Sequence, residues 1–509
     1  MTAPTQSTLD LPQEDLGGMP PGRPPHLAAL DLTADWKTQP RSWPHALHPM
    51  CTYLGSLPAT LAHELIGRWS RPGDVVLDPF CGRGTVPVQA GLERRIGVGI
   101  DRNPLAYLLT SAALDPPTRR EALTRLELLR IDWTETRHHW RARAREMADA
   151  GGAATFFHAE TLAQLLMVRH RLDRHDSVDV FLLAAIAGVL HGRRAAALTD
   201  AMPNTFSMAP GYAARWLAAR DAEQGTSRPS RDLFGVVGRR ISWLLREGRP
   251  ATRGIAIAGD ARRSGGLARA ALHERGLPER VRLVVTSPPY LGLVRYGSAN
   301  WLRLWLLGED PTGVDAALDA PRSVTASGEL LREVLDDIRP ILADDAIVVV
   351  ILGDVETNQG RRLKQPIDLA TAAWTTAAQP AGYRLAGIST DDIDAARKLT
   401  RLWGARAGGA TRTERFLVIA PTELGQRRAT ATAAISVDWM RTPGRSDTAA
   451  ARRPTSPRPA ILATYAADVS PGRPGSHGPA RVDEEPRPRA DDGSAPELHP
   501  PAAGAPVRA

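Results

Sequence analysis

Two short stretches of this sequence hold residue types that can do chemistry. DPFCGRGT (78–85) joins an apolar run to a helical pattern, and TSPPY (286–290) directly follows the apolar run VRLVV. Glycines after a strand let the backbone approach a ligand closely, and prolines stiffen the chain around a hydroxyl and an aromatic ring. The first stretch is therefore a candidate binding turn and the second a candidate reactive loop.

The glycine turn does not fit a phosphate site. A Walker loop needs Lys followed by Ser or Thr after its last glycine, and a dinucleotide loop needs a third glycine. Here Gly84 is followed by Thr85, Val86 and Pro87, so both patterns fail. A ligand with an amino acid end and a ribose remains, since Asp101 closes the next strand at a spacing suited to ribose hydroxyls. Capping of the following helix is an alternative role for Asp101.

DPFCGRGT and the later stretch GVGIDRNPLA (97–106) together resemble the cofactor motifs of S-adenosylmethionine-dependent amino-methyltransferases that act on nucleic acid. The resemblance implies S-adenosyl-L-methionine as the cofactor, with the glycine turn around its methionine portion. It places Asp101 on the ribose, and Asp260, at the end of another strand, opposite the adenine. The implied cofactor-binding residues are Asp78, Pro79, Phe80, Gly82, Gly84, Thr85, Asp101 and Asp260.

TSPPY, downstream of that motif, resembles the catalytic motif of cytosine-N4 and adenine-N6 methyltransferases. An exocyclic base amine is a poor nucleophile, because its lone pair is delocalised into the ring. The Ser287 hydroxyl and the Pro288 carbonyl can accept hydrogen bonds from that amine and stabilise its developing charge. Tyr290 offers a ring on which an extruded base can stack. The implied catalytic residues are Ser287, Pro288, Pro289 and Tyr290.

Weaker candidates flank the two motifs. His48, Tyr53 and Ser56 lie upstream of the glycine turn, and Tyr296, Asn300 and Arg303 lie downstream of TSPPY. The central Cys81 is expected to fill a small space in the turn, because the substrate amine itself attacks the methyl group and no covalent enzyme intermediate is needed.

Ser at the first position of the catalytic motif, rather than Asp, favours a DNA methyltransferase acting on cytosine N4, of the kind found in restriction-modification. Three alternatives stay open. The chain could be an adenine-N6 DNA methyltransferase, an RNA amino-methyltransferase, or a degenerate methyltransferase fold that binds nucleic acid without catalysis.

Strand-like apolar runs alternate with helical patterns on both sides of a long, almost entirely helical stretch. This order predicts an α/β fold with a parallel sheet, and the resemblance implies a Rossmann-like class I methyltransferase sheet interrupted by a mainly helical insertion. We expect a disordered segment at 1–40, the methyltransferase domain at 41–110 and 253–422, an insertion for target recognition at 111–252, and a disordered Pro/Arg/Ala-rich tail at 423–509.

The charge balance favours a polyanionic partner. The 509 residues carry a formal net charge of +8, and the insertion holds 21 Arg against 16 Asp and Glu, an excess of 5. With the motifs, this balance predicts DNA as the partner. No prediction of the oligomeric state follows from the sequence.

Other classes of site and location are disfavoured. Two Cys are too few for a disulfide framework or a Cys-based zinc site, and the His residues lack ligand spacing, so we expect no metal. No apolar run is long enough to span a membrane, and the N-terminus has neither a basic nor an apolar leader region. We therefore expect a bacterial cytoplasmic protein.

Overall fold

The computed structural model describes residues 29–30, 32, 35–39, 45–192, 196–202, 209–289, 295–353, 355–356, 366–392, 413–433 and 437. Tyr290 of the predicted reactive loop lies outside these residues, as do most of the segment 1–40 and most of the predicted tail.

The strands form one large sheet and one small ribbon. In chain order they are β1 (Val75–Asp78), β2 (Ile96–Asp101), β3 (Ile255–Ala258), β4 (Val281–Thr286), β5 (Leu342–Gly353), β6 (Val355–Glu356), β7 (Pro366–Ile367), β8 (Arg384–Asp392) and β9 (Thr413–Ala420). Within the described residues, seven of them form a sheet in the order β3-β2-β1-β4-β5-β9-β8, and β6 pairs with β7.

The first five strands of the large sheet run parallel, whereas β9 is antiparallel to β5 and β8 is antiparallel to β9. The sequence suggested parallel strands throughout. The difference lies in β9, which returns antiparallel along β8. The strand β8 was not predicted, because its stretch RLAGISTDD is too polar and glycine-interrupted to be identified as a strand from its pattern.

Helices cover both faces of the sheet and fill the long interval between β2 and β3. They are α1 (Ala59–Trp69), α2 (Thr85–Leu92), α3 (Pro104–Leu114), α4 (Arg119–Ala150), α5 (Ala159–Arg171), α6 (Ser177–Val189), α7 (Pro210–Gln224), α8 (Leu233–Leu244), α9 (Ser264–Glu274), α10 (Tyr296–Ala299), α11 (Trp301–Leu307), α12 (Pro311–Ala317), α13 (Val324–Ile338), α14 (Leu369–Ala373) and α15 (Glu423–Thr432).

Apolar residues on both faces make the central strands continuous hydrophobic runs, as expected for a sheet covered on two sides. Neighbouring residues of β1 show the alternation. Val76 belongs to the core formed with Trp69 of α1, whereas Leu77 belongs to the core formed with Leu331 of α13. The sheet thus separates two hydrophobic cores and fixes the edge at which its strands end.

A third core joins the helices between β2 and β3 to the sheet domain. Phe181 of α6 and Ile241 of α8 are fully buried and belong to one cluster with Leu109 of α3 and Leu304 of α11. The helix α3, which follows β2 directly, is therefore shared between the sheet and the helical region.

Strand order reverses direction at β1, because β2 and β3 lie on one side of it and β4 and β5 on the other. Such a switch point leaves a crevice at the carboxyl ends of the strands, where ligands bind in open α/β sheets. The chain has the Rossmann-like α/β methyltransferase fold, and this prediction is confirmed.

Ordered structure extends past two of the expected boundaries. Within 1–40, Leu30 is buried and its N–H donates to the Ile388 carbonyl on β8, and Lys37 pairs with Asp391. Within 423–509, α15 begins at a Thr422 N-cap and buries Ala429 against the sheet.

No helix among the described residues has both the length and the apolar character that a bilayer span requires.

Candidate active site

A cleft opens at the carboxyl ends of β1, β2, β3 and β4, with about 680 Å³ of empty space that includes open solvent. The predicted residues that line it are Pro79, Phe80, Gly82, Asp101, Asp260, Ser287 and Pro289. Both motifs therefore reach one cleft. The predicted residues that are buried and do not line it are Asp78, Gly84, Thr85 and Pro288.

The glycine turn requires its glycines. Gly82 has φ of +53° and Gly84 has φ of +82°, a region that other residues rarely adopt. A Cβ on Gly84 would lie 2.7 Å from Thr110 Oγ1, and one on Gly82 would lie 3.3 Å from the Tyr53 ring. The Thr110 hydroxyl on α3 also donates to the Gly82 carbonyl at 3.0 Å. The turn thus passes through a narrow gap between Tyr53 and α3.

Asp101 at the end of β2 holds the glycine turn in place. Its Oδ2 accepts from the Gly82 N–H at 2.8 Å, and its Oδ1 accepts from the Asn103 N–H at 2.9 Å. Burial raises the pKa of this carboxyl to about 6, against the lowering effect of those backbone bonds. Helix α3 is capped by Asn103, not by Asp101. The alternative helix-cap role for Asp101 is therefore not the one observed.

Asp78 links the two motifs directly. Its Oδ1 accepts a hydrogen bond from the Thr286 hydroxyl at 2.7 Å and from the Phe80 N–H at 3.2 Å. Burial raises the pKa of Asp78 to about 7. Since Thr286 immediately precedes Ser287, this bond ties the end of the cofactor strand to the start of the predicted reactive loop.

Of the weaker candidates, two aromatic residues form part of the cleft. Tyr53 and Tyr296 line it, and their rings stack with centroids 5.7 Å apart. The Tyr53 hydroxyl accepts from Asn103 Nδ2 at 2.9 Å, and burial raises the pKa of both phenols. Asn103 was not predicted, although its place two residues after Asp101 was a usable signal.

The remaining candidates make hydrogen bonds within the protein. His48 is buried against Gln89, with ring Nε2 and Oε1 2.8 Å apart, and burial lowers its pKa to about 3. Ser56 donates to the Tyr53 carbonyl. Arg303 is buried and donates to the Ala187 carbonyl and to Asn300 Oδ1.

Cys81 lies behind the turn. Its sulfur is 3.6 Å from Thr110 Oγ1, and a Cβ on Gly99 of β2 would come within 3.0 Å of it. Burial raises the pKa of the thiol, so a thiolate is disfavoured. The thiol fills space beside β2.

The opposite end of the cleft is ionic. Arg102 pairs with Asp260 at 2.9 Å, and Arg262 pairs with Asp319 at 2.8 Å. Asp260 also accepts from the Arg262 backbone N–H at 3.0 Å, which caps a short 3-10 helix after β3. Sequence patterns gave no signal for Asp319, which lies in the loop after α12.

The residues present fit S-adenosyl-L-methionine better than a polyphosphate. Asp101 presents a carboxylate to the cleft, and a carboxylate there would repel a phosphate and attract a positively charged ligand. The Thr85 hydroxyl, at the start of α2, is buried without a hydrogen-bond partner among the described residues. No group of three or more potential metal ligands occurs within the described ranges.

Residues 35–110 match the family model described as DNA methylase. This segment contains the glycine turn and Asp101, and the match confirms the resemblance found in the sequence. No curated protein matches the chain. The fold and this match together support a methyltransferase.

Two solved structures are similar to this chain. TrmN from Thermus thermophilus is 12% identical, with 74% of this chain and 52% of that chain covered and a TM-score of 0.26. The rRNA methyltransferase aviRa from Streptomyces viridochromogenes is 13% identical, with 73% and 90% covered and a TM-score of 0.27. This chain therefore spans about half the length of TrmN. At such scores, neither structure carries an argument about the substrate.

Proposed function

We propose that this chain is a site-specific DNA methyltransferase that moves a methyl group from S-adenosyl-L-methionine to an exocyclic base amine, with cytosine N4 as the favoured acceptor. One observation carries the proposal: residues of both motifs face the same cleft. Ser287 and Pro289 line the same cleft as Phe80, Gly82 and Asp101. An amine bound at one wall would lie close to a methyl group held at the other.

The glycine turn is the proposed place for the methionine portion of the cofactor, with Asp101 on the ribose and Asp260 at the adenine end. When bound, the cofactor would supply an electrophilic methyl group on a positively charged sulfur. Ionised Asp101 would favour that charge by proximity. Asp78 would act from behind the turn through Phe80 and Thr286. The residues proposed to hold the cofactor are Asp78, Pro79, Phe80, Gly82, Gly84, Thr85, Asp101 and Asp260.

The start of the reactive loop would position the acceptor amine. The Ser287 hydroxyl and the Pro288 carbonyl would accept its N–H groups, which turns the nitrogen lone pair toward the methyl group. Once methylated, the amine would release one proton to solvent. Pro289 would keep the loop stiff, and Tyr290 would stack on the extruded base.

The helices α4 to α8 are the proposed target-recognition region. Basic residues in its 169–175 stretch are already used within the chain: Arg171 pairs with Asp132, Arg174 pairs with Glu309, and Arg169 lies over the Trp305 ring. DNA phosphates would then be contacted by other cations of the insertion. A bacterial cytoplasmic location is part of the same proposal.

Transfer of a labelled methyl group from S-adenosyl-L-methionine to DNA tests the proposal. Duplex and single-stranded DNA, tRNA and rRNA are incubated in parallel, and the labelled base is identified as N4-methylcytosine or N6-methyladenine. We expect label in cytosine of duplex DNA. Label confined to RNA would move the substrate to RNA, and calorimetry without any cofactor binding would favour a non-catalytic nucleic-acid-binding protein.

Three variants separate the proposed roles. Ser287→Ala and Tyr290→Ala should slow transfer, the first by about 100-fold, while cofactor affinity stays unchanged. Asp78→Ala should weaken cofactor binding. If Ser287→Ala transfers methyl groups at the wild-type rate, the proposed reactive loop is wrong.

A further inference from the structure

One end of the cleft is closed by a planar cation that three acceptors hold in place. The Arg102 guanidinium donates to the Ala317 carbonyl at 2.9 Å and pairs with Asp260 at 2.9 Å. The third acceptor, a carboxylate oxygen of Asp319, lies 3.7 Å from the guanidinium. A long side chain that is 43% exposed would ordinarily move among rotamers, and these contacts restrict it.

The loop that supplies two of those acceptors is itself anchored. Asp315 of α12 accepts from the N–H groups of Gly297 and Ser298 at the start of α10, at 2.6 and 3.0 Å. The Ala317 carbonyl and the Asp319 carboxylate follow within four residues. The position of Arg102 is therefore fixed by folded structure on both sides.

Asp260, by contrast, has little capacity left to recognise a ligand. Its Oδ1 accepts from the Arg262 N–H at 3.0 Å and lies 3.3 Å from the Arg262 guanidinium, and its Oδ2 accepts from Arg102. A carboxylate occupied by two guanidinium groups is a poor acceptor for a further amine, so another group at this end must recognise the base.

Carboxylates outnumber the arginines at this end. Arg102 and Arg262 face Asp260, Asp319 and Glu333, two positive charges against three negative ones. A cluster without net positive charge does not repel a ligand that carries a sulfonium, which a lone arginine would do. A guanidinium plane also stacks favourably on the face of an aromatic ring.

We propose that Arg102 determines specificity for the adenosine end of the ligand by stacking its fixed guanidinium plane on the purine, with Asp260, Asp319 and the Ala317 carbonyl as positioning groups. The inference rests on the proposed cofactor. It gives Arg102, rather than the Asp260 carboxylate, the direct contact with the base.

Isothermal calorimetry with S-adenosylhomocysteine and with adenosine tests the inference. Arg102→Ala should lower the affinity for both ligands by roughly 3- to 30-fold. Arg102→Lys keeps the charge that pairs with Asp260 but lacks the plane, so it should keep the wild-type melting temperature and still lose most of that affinity. Arg253→Ala, which removes an exposed ion pair with Asp115, is the matched control and should bind normally.

Asp319→Asn provides a second readout. It should lower the affinity for adenosine by less than Arg102→Ala does. The double variant should bind adenosine no more weakly than Arg102→Ala alone, because both substitutions act through one guanidinium. Additive losses would contradict the positioning role.

The outcomes distinguish this inference from the function on which it rests. If the wild-type chain binds neither ligand, the proposed cofactor is wrong and the inference falls with it. If the wild-type chain binds both and Arg102→Ala binds them equally well, only the inference is overturned. Wild-type affinity in Arg102→Lys would show that charge, and not the stacked plane, is what the site uses.

Discussion

The two ends of the cleft are held by different kinds of interaction. Where β1 meets β4, a buried hydrogen bond joins Thr286 to Asp78, and glycines with positive φ fit against α3. Where β2 meets β3, partly exposed arginines and aspartates form ion pairs. Buried hydrogen bonds are costly to break and insensitive to salt, whereas exposed ion pairs contribute little and are screened.

The difference suits what each end is proposed to do. The β1–β4 end must align reacting groups, so a rigid, dry arrangement is an advantage. The β2–β3 end needs only to hold a flat ring, for which partly exposed ion pairs suffice. Four substitutions should sharpen or break this contrast.

Gly84→Ala should have the largest effect. The new Cβ would lie 2.7 Å from Thr110 Oγ1 at a φ of +82°, so the turn must shift. We expect a loss of roughly 1–3 kcal/mol in the free energy of unfolding and strongly weakened cofactor binding. Gly266→Ala on α9, where a Cβ meets no atom within 4 Å, is the control and should stabilise slightly. Equal melting temperatures for the two variants would contradict the described gap.

Thr286→Val should cost about 1–3 kcal/mol by leaving buried Asp78 without its hydroxyl donor, while Thr286→Ser should keep the bond. Burial raises the pKa of Asp78 to about 7 in the folded chain, against 3.8 for an aspartate in water. Between these two pH values Asp78 is protonated in the folded chain and ionised in the unfolded chain. The contribution of this bound proton to the free energy of unfolding therefore falls as pH rises from about 4 to about 7.

Removing the donor should raise the pKa of Asp78 further, so Thr286→Val should lose more stability at pH 8 than at pH 4. Denaturant unfolding across this pH range measures the difference. A loss independent of pH would mean that Thr286 does not stabilise the Asp78 carboxylate.

Arg262→Gln should have a smaller effect. Arg262 reaches Asp260, Asp319 and Glu333, but its side chain is partly exposed. We expect a loss below about 1 kcal/mol that disappears in 1 M salt, whereas the loss in Thr286→Val should persist there. Parallel melts at two salt concentrations make the comparison. A loss of stability in Arg262→Gln that does not depend on salt would contradict the proposed difference between the two ends of the cleft.

Cys81→Ala should have the smallest effect. The thiol touches Thr110 and β2 without facing the cleft, so its loss should cost about 1 kcal/mol and leave substantial methyl transfer. Normal folding with complete loss of transfer would require a chemical role for the sulfur.

The same contrast explains which parts of the site could be predicted. Gly82, Gly84 and Ser287 could be predicted as site residues, because each forms a recognisable motif with its immediate neighbours along the chain. Arg102 stood inside the quoted stretch GVGIDRNPLA and Asp319 in no recognisable pattern. Their pairing spans more than 200 residues, so no local pattern indicated it. Thr286 stood inside the quoted motif, but its partner Asp78 lies on another strand.

The fold shows the same division. The continuous apolar runs of β4 and β5 marked a sheet covered on both faces. The polar strand β8 and the short helix α15 owe their places to the edge they pack against, so local sequence did not reveal them. These two elements form because of tertiary contacts and not because of the intrinsic secondary-structure propensity of their residues.

The helix α3 has a consequence for how the two ligands would bind. One face of α3 packs on α6 of the helical region, and Thr110 on another face bonds the Gly82 carbonyl. A shift of α3 caused by DNA on the helical region would displace the glycine turn, so DNA and cofactor affinities should be thermodynamically coupled. Coupling is reciprocal: the factor by which DNA changes cofactor affinity must equal the factor by which the cofactor changes DNA affinity. Titrating each ligand in the presence of the other measures it, and a factor of one in both would show that α3 does not move.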